Sequence, residues 1–330
     1  MVSPAASLLA LEDVDVVFRP GGLLTSFDRS AVPVRAVQGA SLQLGSHETV
    51  GVVGESGSGK STLGRAAIGL QQTTAGVIRF RTELLPSLLK RHFRDTRRRM
   101  QIVVQNPYGS LTPWLTIGSA IGEVLTYHGL TRTGPETSRR ISELLVMVGL
   151  KPEHQDRYPR EFSGGQRQRL AIARALALEP DLLVCDEVTS ALDVSVRAQI
   201  VNLLVDLGSE RQLAYLFITH DLHVARVISD RIAVMYAGRI VETGVAETVF
   251  REPAHPYTQH LLAALPTLEG HYQARPATNV TQVGQQPDVG CPFAARCPSR
   301  LPRCLEAYPA TTTVGPGHEV DCHLYEGSGA

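Results

Sequence analysis

The residues best able to do chemistry fall into a few short clusters along a chain of 330 residues. The sharpest is Gly54-Glu55-Ser56-Gly57-Ser58-Gly59-Lys60-Ser61, followed by Thr62, which fits the pattern G-x-x-x-x-G-K-[ST]. A chain of phosphates needs closely packed backbone N–H donors, a helix N-terminus and a cation on a flexible stem. Glycines let the backbone wrap, Lys60 has the length to reach outer phosphates, and Ser61 can ligate Mg²⁺. A glycine-rich turn with no ligand is the plainer reading. From average residue usage it would match this pattern by chance in roughly one chain in a hundred of this length.

A second cluster is Leu182-Leu183-Val184-Cys185-Asp186-Glu187, four apolar residues and then two carboxylates. An apolar strand ending in Asp and Glu places both at the C-terminal edge of a parallel sheet, where open α/β folds bind ligands. Asp186 would then complete a Mg²⁺ shell, and Glu187 would orient or deprotonate a water attacking a γ-phosphate. A solvated loop start is the competing reading. Cys185, inside the strand, reads as a small buried core residue. A third cluster, Phe162-Ser163-Gly164-Gly165-Gln166, opens a helical segment. Ser-Gly-Gly there is either a second anion-binding helix N-terminus or a simple N-cap.

These clusters need elements to hold them. Residues 8–18 and 34–44 alternate apolar and polar side chains and read as strands of an antiparallel edge sheet. Residues 49–53 form a short apolar run leading into the glycine-rich loop, as expected of a buried parallel strand. Helical periodicity follows over 160–178, and 182–185 and 216–219 read as further buried strands. The pattern predicts an α/β protein with a largely parallel core sheet. From about residue 270 the texture changes to Thr, Pro, Gly and Cys, so two domains are expected: 1–266, with a helical subdomain near 106–178, and a small appendage over 267–330.

The order of the clusters carries a resemblance. The chain resembles the ATP-binding subunits of ABC transporters, whose signature is Leu-Ser-Gly-Gly-Gln; Phe162 stands in place of the Leu. Gln105 in Val-Val-Gln-Asn-Pro is similar to that family's glutamine loop, Asp193 in Ser-Ala-Leu-Asp to its D-loop, and His220 in Phe-Ile-Thr-His-Asp to its switch histidine. The resemblance covers about residues 8–266. It implies a P-loop NTPase of ABC type, with a RecA-like parallel core sheet, an antiparallel β subdomain and a helical signature subdomain. Its implied cofactors are ATP and Mg²⁺, the latter held by Ser61, Gln105 and Asp186. Glu187, His220 and Gln105 would be the catalytic residues, and two such domains would close head to tail, so that Ser163, Gly164, Gly165 and Gln166 meet the partner's ATP. Phe18 matches the aromatic that stacks on adenine, or is an ordinary core aromatic. Val188 departs from the family, which has Pro there; proline stiffens the loop after the glutamate, so its absence bears on rate and removes no catalytic atom.

Segments outside the ATP motifs narrow the branch. His255-Pro256-Tyr257-Thr258, the Gln105-Asn-Pro-Tyr-Gly-Ser-Leu stretch and the Gly21-Gly22-Leu-Leu spacer resemble oligopeptide and dipeptide importer ATPases, the second of their two ATPases in particular. The resemblance implies a peripheral protein at the cytoplasmic face of the plasma membrane, held by two permease subunits. A second related ATPase, forming a heterodimer or alternatively a homodimer, and an extracytoplasmic substrate-binding protein would complete the assembly. Peptides are the expected cargo, with nickel or oligosaccharides as alternatives. A non-transport ABC ATPase is the rival of another class, but neither a coiled-coil insertion nor a repeated nucleotide unit is visible.

Cys291, Cys297, Cys304 and Cys322 are four of the chain's five cysteines, in a segment with few apolar residues. A reducing compartment disfavours disulfides, which leaves metal thiolates as the expected staple. The spacing lacks the C-x2-4-C pairs that zinc favours, and the Gly290-Cys-Pro-Phe segment resembles the cysteine tail of peptide-importer ATPases. A [4Fe–4S] cluster of structural role is expected, with Zn²⁺ as the alternative.

Composition limits the remaining classes. With 43% apolar and 19% charged residues, and 32 basic against 32 acidic side chains, nucleic acid is not an expected partner. No apolar run approaches bilayer length, and the N-terminal stretch lacks a basic signal region, so a cytoplasmic chain is expected. Residues 90–99 carry six Lys and Arg, which could meet nucleic acid or lipid head groups, though a solvated or paired face is the plainer expectation. Asn279-Val-Thr281 fits a glycosylation pattern that has no use in the cytoplasm.

Overall fold

The structure, a computed structural model, describes residues 7–19, 33–106, 109–264 and 289–327. The spacer at 21–24, the Pro107-Tyr108 pair, the expected domain boundary at 266 and Asn279 lie outside the described residues.

Two sheets organise the chain. The smaller is antiparallel: β1 (Ser7–Phe18) and β2 (Val34–Gly45) pair along most of their length, and β4 (Ala75–Phe80) and the short β5 (Glu83–Leu84) continue it in the order β2-β1-β4-β5. Between β2 and β4 run β3 (Thr49–Val53) and α1 (Lys60–Ala67). Strand β3 belongs to the larger sheet and is buried at every residue, which explains its unbroken apolar run.

The larger sheet has eight strands in the order β11-β12-β10-β9-β3-β8-β7-β6. Its parallel part joins β6 (Met100–Val103), β7 (Leu182–Asp186), β8 (Ala214–Thr219), β3 and β9 (Arg231–Tyr236). Strand β10 (Arg239–Val245) returns antiparallel to β9. The hairpin β11 (Thr311–Gly315) and β12 (His318–Asp321) then adds to β10 through Glu242↔Val320 and Thr243↔Glu319. The cysteine-bearing segment is therefore stitched into the main sheet rather than hung from it.

Helices complete the layers. α2 (Leu85–Arg91) and α3 (Phe93–Arg99) lead into β6; α4 (Ile117–Tyr127), α5 (Gly134–Met147) and α6 (Gly164–Leu176) form the helical layer; α7 (Val194–Arg211), α8 (Leu222–Ile228), α9 (Ala246–Arg251) and α10 (Pro256–Ala263) follow. Several starts are capped by a side chain. Thr116 accepts from Ser119 N at α4, Thr133 from Glu136 N at α5, and Asp221 from His223 N and Val224 N at α8.

Three large apolar clusters hold these layers. Ile121, Leu125, Leu145 and Leu170 of the helical layer meet Leu183, Phe217 and Tyr215 on one face of the large sheet. Leu9, Leu11 and Leu44 of the small sheet close over α1 and over Val52, Val184 and Leu216. The third cluster joins Val53, Ile232 and Val241 to Tyr257, Cys291, Phe293 and Cys304, so the C-terminal segment shares a core with the strand that feeds the phosphate loop. At about 1.5–3 kcal/mol for each fully buried large apolar side chain, Tyr257 and Phe293 alone anchor that segment firmly.

The basic run at 90–99 is used within the fold. Arg97 donates to the carbonyls of Ile68 and Gly69 just past α1, Arg98 to that of Leu178, and Arg99 pairs with Asp181. Among the described residues no helix is long and apolar enough to cross a membrane.

Candidate nucleotide site and cysteine segment

The loop from Gly54 to Gly59 joins β3 to α1 and presents the helix start at the C-terminal edge of the parallel strands. Two of its glycines are dictated by contact. A Cβ on Gly54 would lie 2.1 Å from the Met235 carbonyl oxygen, and one on Gly59 the same distance from that of Ala36. Gly59 also has φ +103, a left-handed backbone that other residues rarely adopt. Gly57 has φ +80 but open space around it. Ser56 is exposed at the turn, and Thr62 sits half-buried in the first turn of α1.

Lys60 is buried, and its Nζ donates to Gly54 O at 2.9 Å, Glu55 O at 2.7 Å and Ser58 Oγ at 3.3 Å. Burial lowers its pKa, opposed by the charges of Glu187, Asp186 and Glu55. Ser61 Oγ donates to Asp186 Oδ1 at 2.6 Å, and Arg65 lies 3.7 Å from the same carboxylate. Burial raises the Asp186 pKa, partly offset by the Ser61 hydrogen bond and by Arg65. A buried carboxylate beside a serine hydroxyl is the donor set a hard divalent cation takes.

Glu187 follows at the strand end with φ 50, a left-handed backbone unusual for a residue with a side chain. Three hydrogen bonds fix it: its N–H donates to Ile218 O, and its carbonyl accepts from Ser190 N and Ser190 Oγ. Its Oε2 accepts from Gln105 Nε2 at 3.2 Å and lies 3.5 Å from His220 Nδ1. Gln105 also donates to Ser190 Oγ at 3.1 Å. Residues from four separate segments, 60–61, 105, 186–187 and 220, thus form one connected network. Val188 is buried, so packing secures the position after Glu187 without a proline ring.

Other expected site residues have partners of their own. Ser163 caps α6 in a reciprocal box, its Oγ accepting from Gln166 N and its N–H donating to Gln166 Oε1. Gly165 lies against α7, where a Cβ would come within 2.4 Å of Val196. Asp193 begins α7 by accepting from Arg197 N, and Arg197 donates to Asp221, one residue past His220. Phe18 ends β1 with 43% of its surface exposed, so it is not a core aromatic.

The four cysteines gather around one cavity of about 10 Å³, also lined by His255 and His323. Burial raises the pKa of Cys291, Cys297 and Cys322, the last to about 11. Nδ1 of His255 accepts from Tyr257 N, while its buried Nε2 has no partner among the described residues. The donor types and the orphaned imidazole suit a metal–sulfur group. Among the described residues no three His, Cys, Asp or Glu side chains are arranged to hold a single ion, and the cavity between them is small, about 10 Å³.

The cysteines lie far along the chain from the phosphate loop, but the fold brings their segment against it. Arg296, between Cys291 and Cys297, pairs with Glu55, and the Tyr257 hydroxyl accepts from Glu55 N at 2.9 Å. No local sequence signal marks either contact.

Residues 37–190 match the family model described as ABC transporter, and residues 241–304 match that of the oligopeptide/dipeptide transporter C-terminal region. The oligopeptide transport ATP-binding protein AppF of Bacillus subtilis is 43% identical over 325 residues, 97% of this chain and 98% of that protein. The chain belongs to the ABC transporter family. It is an ATP-binding cassette, and its enzymatic activity is ATP hydrolysis. The glutathione import ATP-binding protein GsiA of Salmonella paratyphi A is 47% identical over 296 residues, 89% of this chain and 45% of that longer protein. Among solved structures, a dimeric ATP-binding cassette in a post-hydrolysis state, bound to ADP and Pi, superposes on 72% of this cassette and 98% of its own chain. Its TM-score is 0.63 and its identity 29%.

Proposed function

We propose that this cassette couples ATP binding and hydrolysis to the import of oligopeptides or dipeptides through separate permease subunits. The observation that carries the reading is the junction of Lys60, Ser61, Asp186, Glu187, Gln105 and His220 in one network, within a chain that also matches the oligopeptide/dipeptide C-terminal region. Lys60 and the loop amides bind the outer phosphates of ATP, and Ser61, Asp186 and Gln105 would hold Mg²⁺, which when bound would supply positive charge beside the transferred phosphoryl group. Glu187 orients the attacking water and accepts its proton, Gln105 positions that carboxylate, and His220 supports the γ-phosphate. Phe18 stacks on adenine. Ser163, Gly164, Gly165 and Gln166 close on the ATP of a second ATPase, a homologue or a second copy, with Asp193 at the same seam.

The assembly sits at the cytoplasmic face of the plasma membrane, held there by two permeases and supplied by an extracytoplasmic binding protein. The division at 266 separates the cassette proper from a segment whose four cysteines take a [4Fe–4S] cluster, or Zn²⁺ in its place, as a structural staple.

Two substitutions test the catalytic reading. Lys60→Ala should weaken ATP binding itself. Glu187→Gln keeps shape and the Gln105 contact but removes the base, so ATP should bind while turnover in the assembled transporter falls at least about a hundredfold, the scale of losing a general base. ATPase activity near wild type in Glu187→Gln would remove Glu187 from that role.

A further inference from the structure

The second residue of the phosphate loop is gripped by the C-terminal segment. Arg296 Nη1 donates to Glu55 Oε2 at 3.1 Å and Nη2 to Oε1 at 3.0 Å, a two-pronged pair between residues 241 positions apart. The same residue is held through its backbone, since Glu55 N donates to the hydroxyl of Tyr257. Tyr257 is fully buried and packs on Tyr236, with ring centroids 4.4 Å apart, and on Phe293 at 5.5 Å. Arg296 in turn lies over the Phe293 ring at 5.7 Å. Its place is fixed by a short series of turns: Cys291 N donates to Cys304 O, Ala294 N to Cys291 O and Arg296 N to Phe293 O. Cys297 is the next residue.

We propose that Arg296 is a positioning residue for the phosphate loop, and that through it the cysteine segment 291–304 sets this cassette's affinity for nucleotide. The sign follows from charge. Glu55 stands in the loop that must receive a polyanion, and a carboxylate there repels phosphate unless a cation offsets it. Arg296 supplies that cation and holds both carboxylate oxygens turned toward itself. Both partners are nearly half exposed, at 46% and 41%, so solvent limits the pair to a modest effect. A change of about three- to tenfold in affinity is the scale to look for, shrinking as salt is raised.

The test is ATP binding to the isolated subunit, by fluorescent-nucleotide titration at low and high salt, with Lys60→Ala as the control for loss of the pocket itself. Arg296→Gln should weaken binding about three- to tenfold at low salt, and Arg296→Lys by less. Glu55→Gln combined with Arg296→Gln should recover most of the loss, because the uncompensated carboxylate is then gone. Equal affinities throughout would overturn the proposal, as would a double variant no better than Arg296→Gln, which would mark a packing role for the arginine. Linkage is reciprocal, so nucleotide must act back on the segment. Mg-ATP should slow amide hydrogen exchange over residues 291–304 in the wild type and not in Arg296→Gln. An ATP-bound wild type with unchanged exchange there would refute the coupling. Absence of ATP binding by the wild type would count against the nucleotide site instead.

Discussion

Gly59 and Gly57 show how finely the phosphate loop is specified one residue at a time. Both have a left-handed backbone, but only Gly59 has a carbonyl, that of Ala36, within 2.1 Å of where a Cβ would stand. Gly59→Ala must move β2 or the loop, whereas Gly57→Ala pays only backbone strain of about 1 kcal/mol. Gly59→Ala should therefore lose at least about tenfold in ATP affinity and melt earlier, and Gly57→Ala should change affinity by less than about fivefold. Equal losses at the two positions would show that strain, not the Ala36 contact, governs the loop. The pattern of this loop was readable because its geometry is local: glycines, a lysine and a serine within eight residues are enough to imply a turn and a helix start. Arg296 and Tyr257 were not readable, because their partner is a residue some two hundred positions away and nothing near them in sequence announces it.

Elements divide along the same line. Strand β3 and strand β7 were legible from unbroken apolar runs, since a strand covered on both faces has no polar side to interrupt it. The hairpin β11–β12 was not, because β11 is a Thr-rich strand with no buried residue, β12 buries only His318 and Val320, and its sheet partner β10 lies across the chain. The turns before that hairpin and the residue just after it carry the four cysteines, which line one small cavity. If a cluster is the native staple, protein purified without oxygen should be brown and contain about four irons per chain, lost in Cys291→Ser, Cys304→Ser and Cys322→Ser alike. Removal of the metal should lower the melting temperature by about 5 °C or more, because metal binding in such a segment is folding free energy. Stoichiometric zinc without iron would replace the cluster by a four-thiolate zinc site. No metal at all would leave the segment to its apolar anchor, Phe293 among Tyr236, Tyr257 and His255.

At the scale of the whole molecule, the function proposed above gives the network around Glu187 and the capped start of α6 to composite sites shared between two ATPases. The hydrogen bonds of Ser163 and Gln166 stay within their own turn, and Ser163 and Gly164 are exposed. Val194, beside Asp193, leaves 80% of its surface bare, an apolar side chain free to be covered by another subunit. A helix N-terminus that is exposed and rich in free N–H groups suits an anion brought to it from outside. Ser163→Arg places a long cation where the hydroxyl would approach the partner's γ-phosphate, and also removes a helix cap at a cost of about 1 kcal/mol. The chain's own pocket, built from residues 54–62, 105, 186–187 and 220, is untouched. ATP affinity of the isolated Ser163→Arg subunit should therefore remain within about twofold of wild type, while ATPase activity of the assembled transporter falls at least about tenfold. With two different ATPases in the assembly, only the composite site that uses this α6 should fail directly, leaving partial activity; with two identical chains both should fail. Loss of nucleotide binding by the isolated variant would instead place the Ser-Gly-Gly helix start in the chain's own pocket and remove the argument for a shared site.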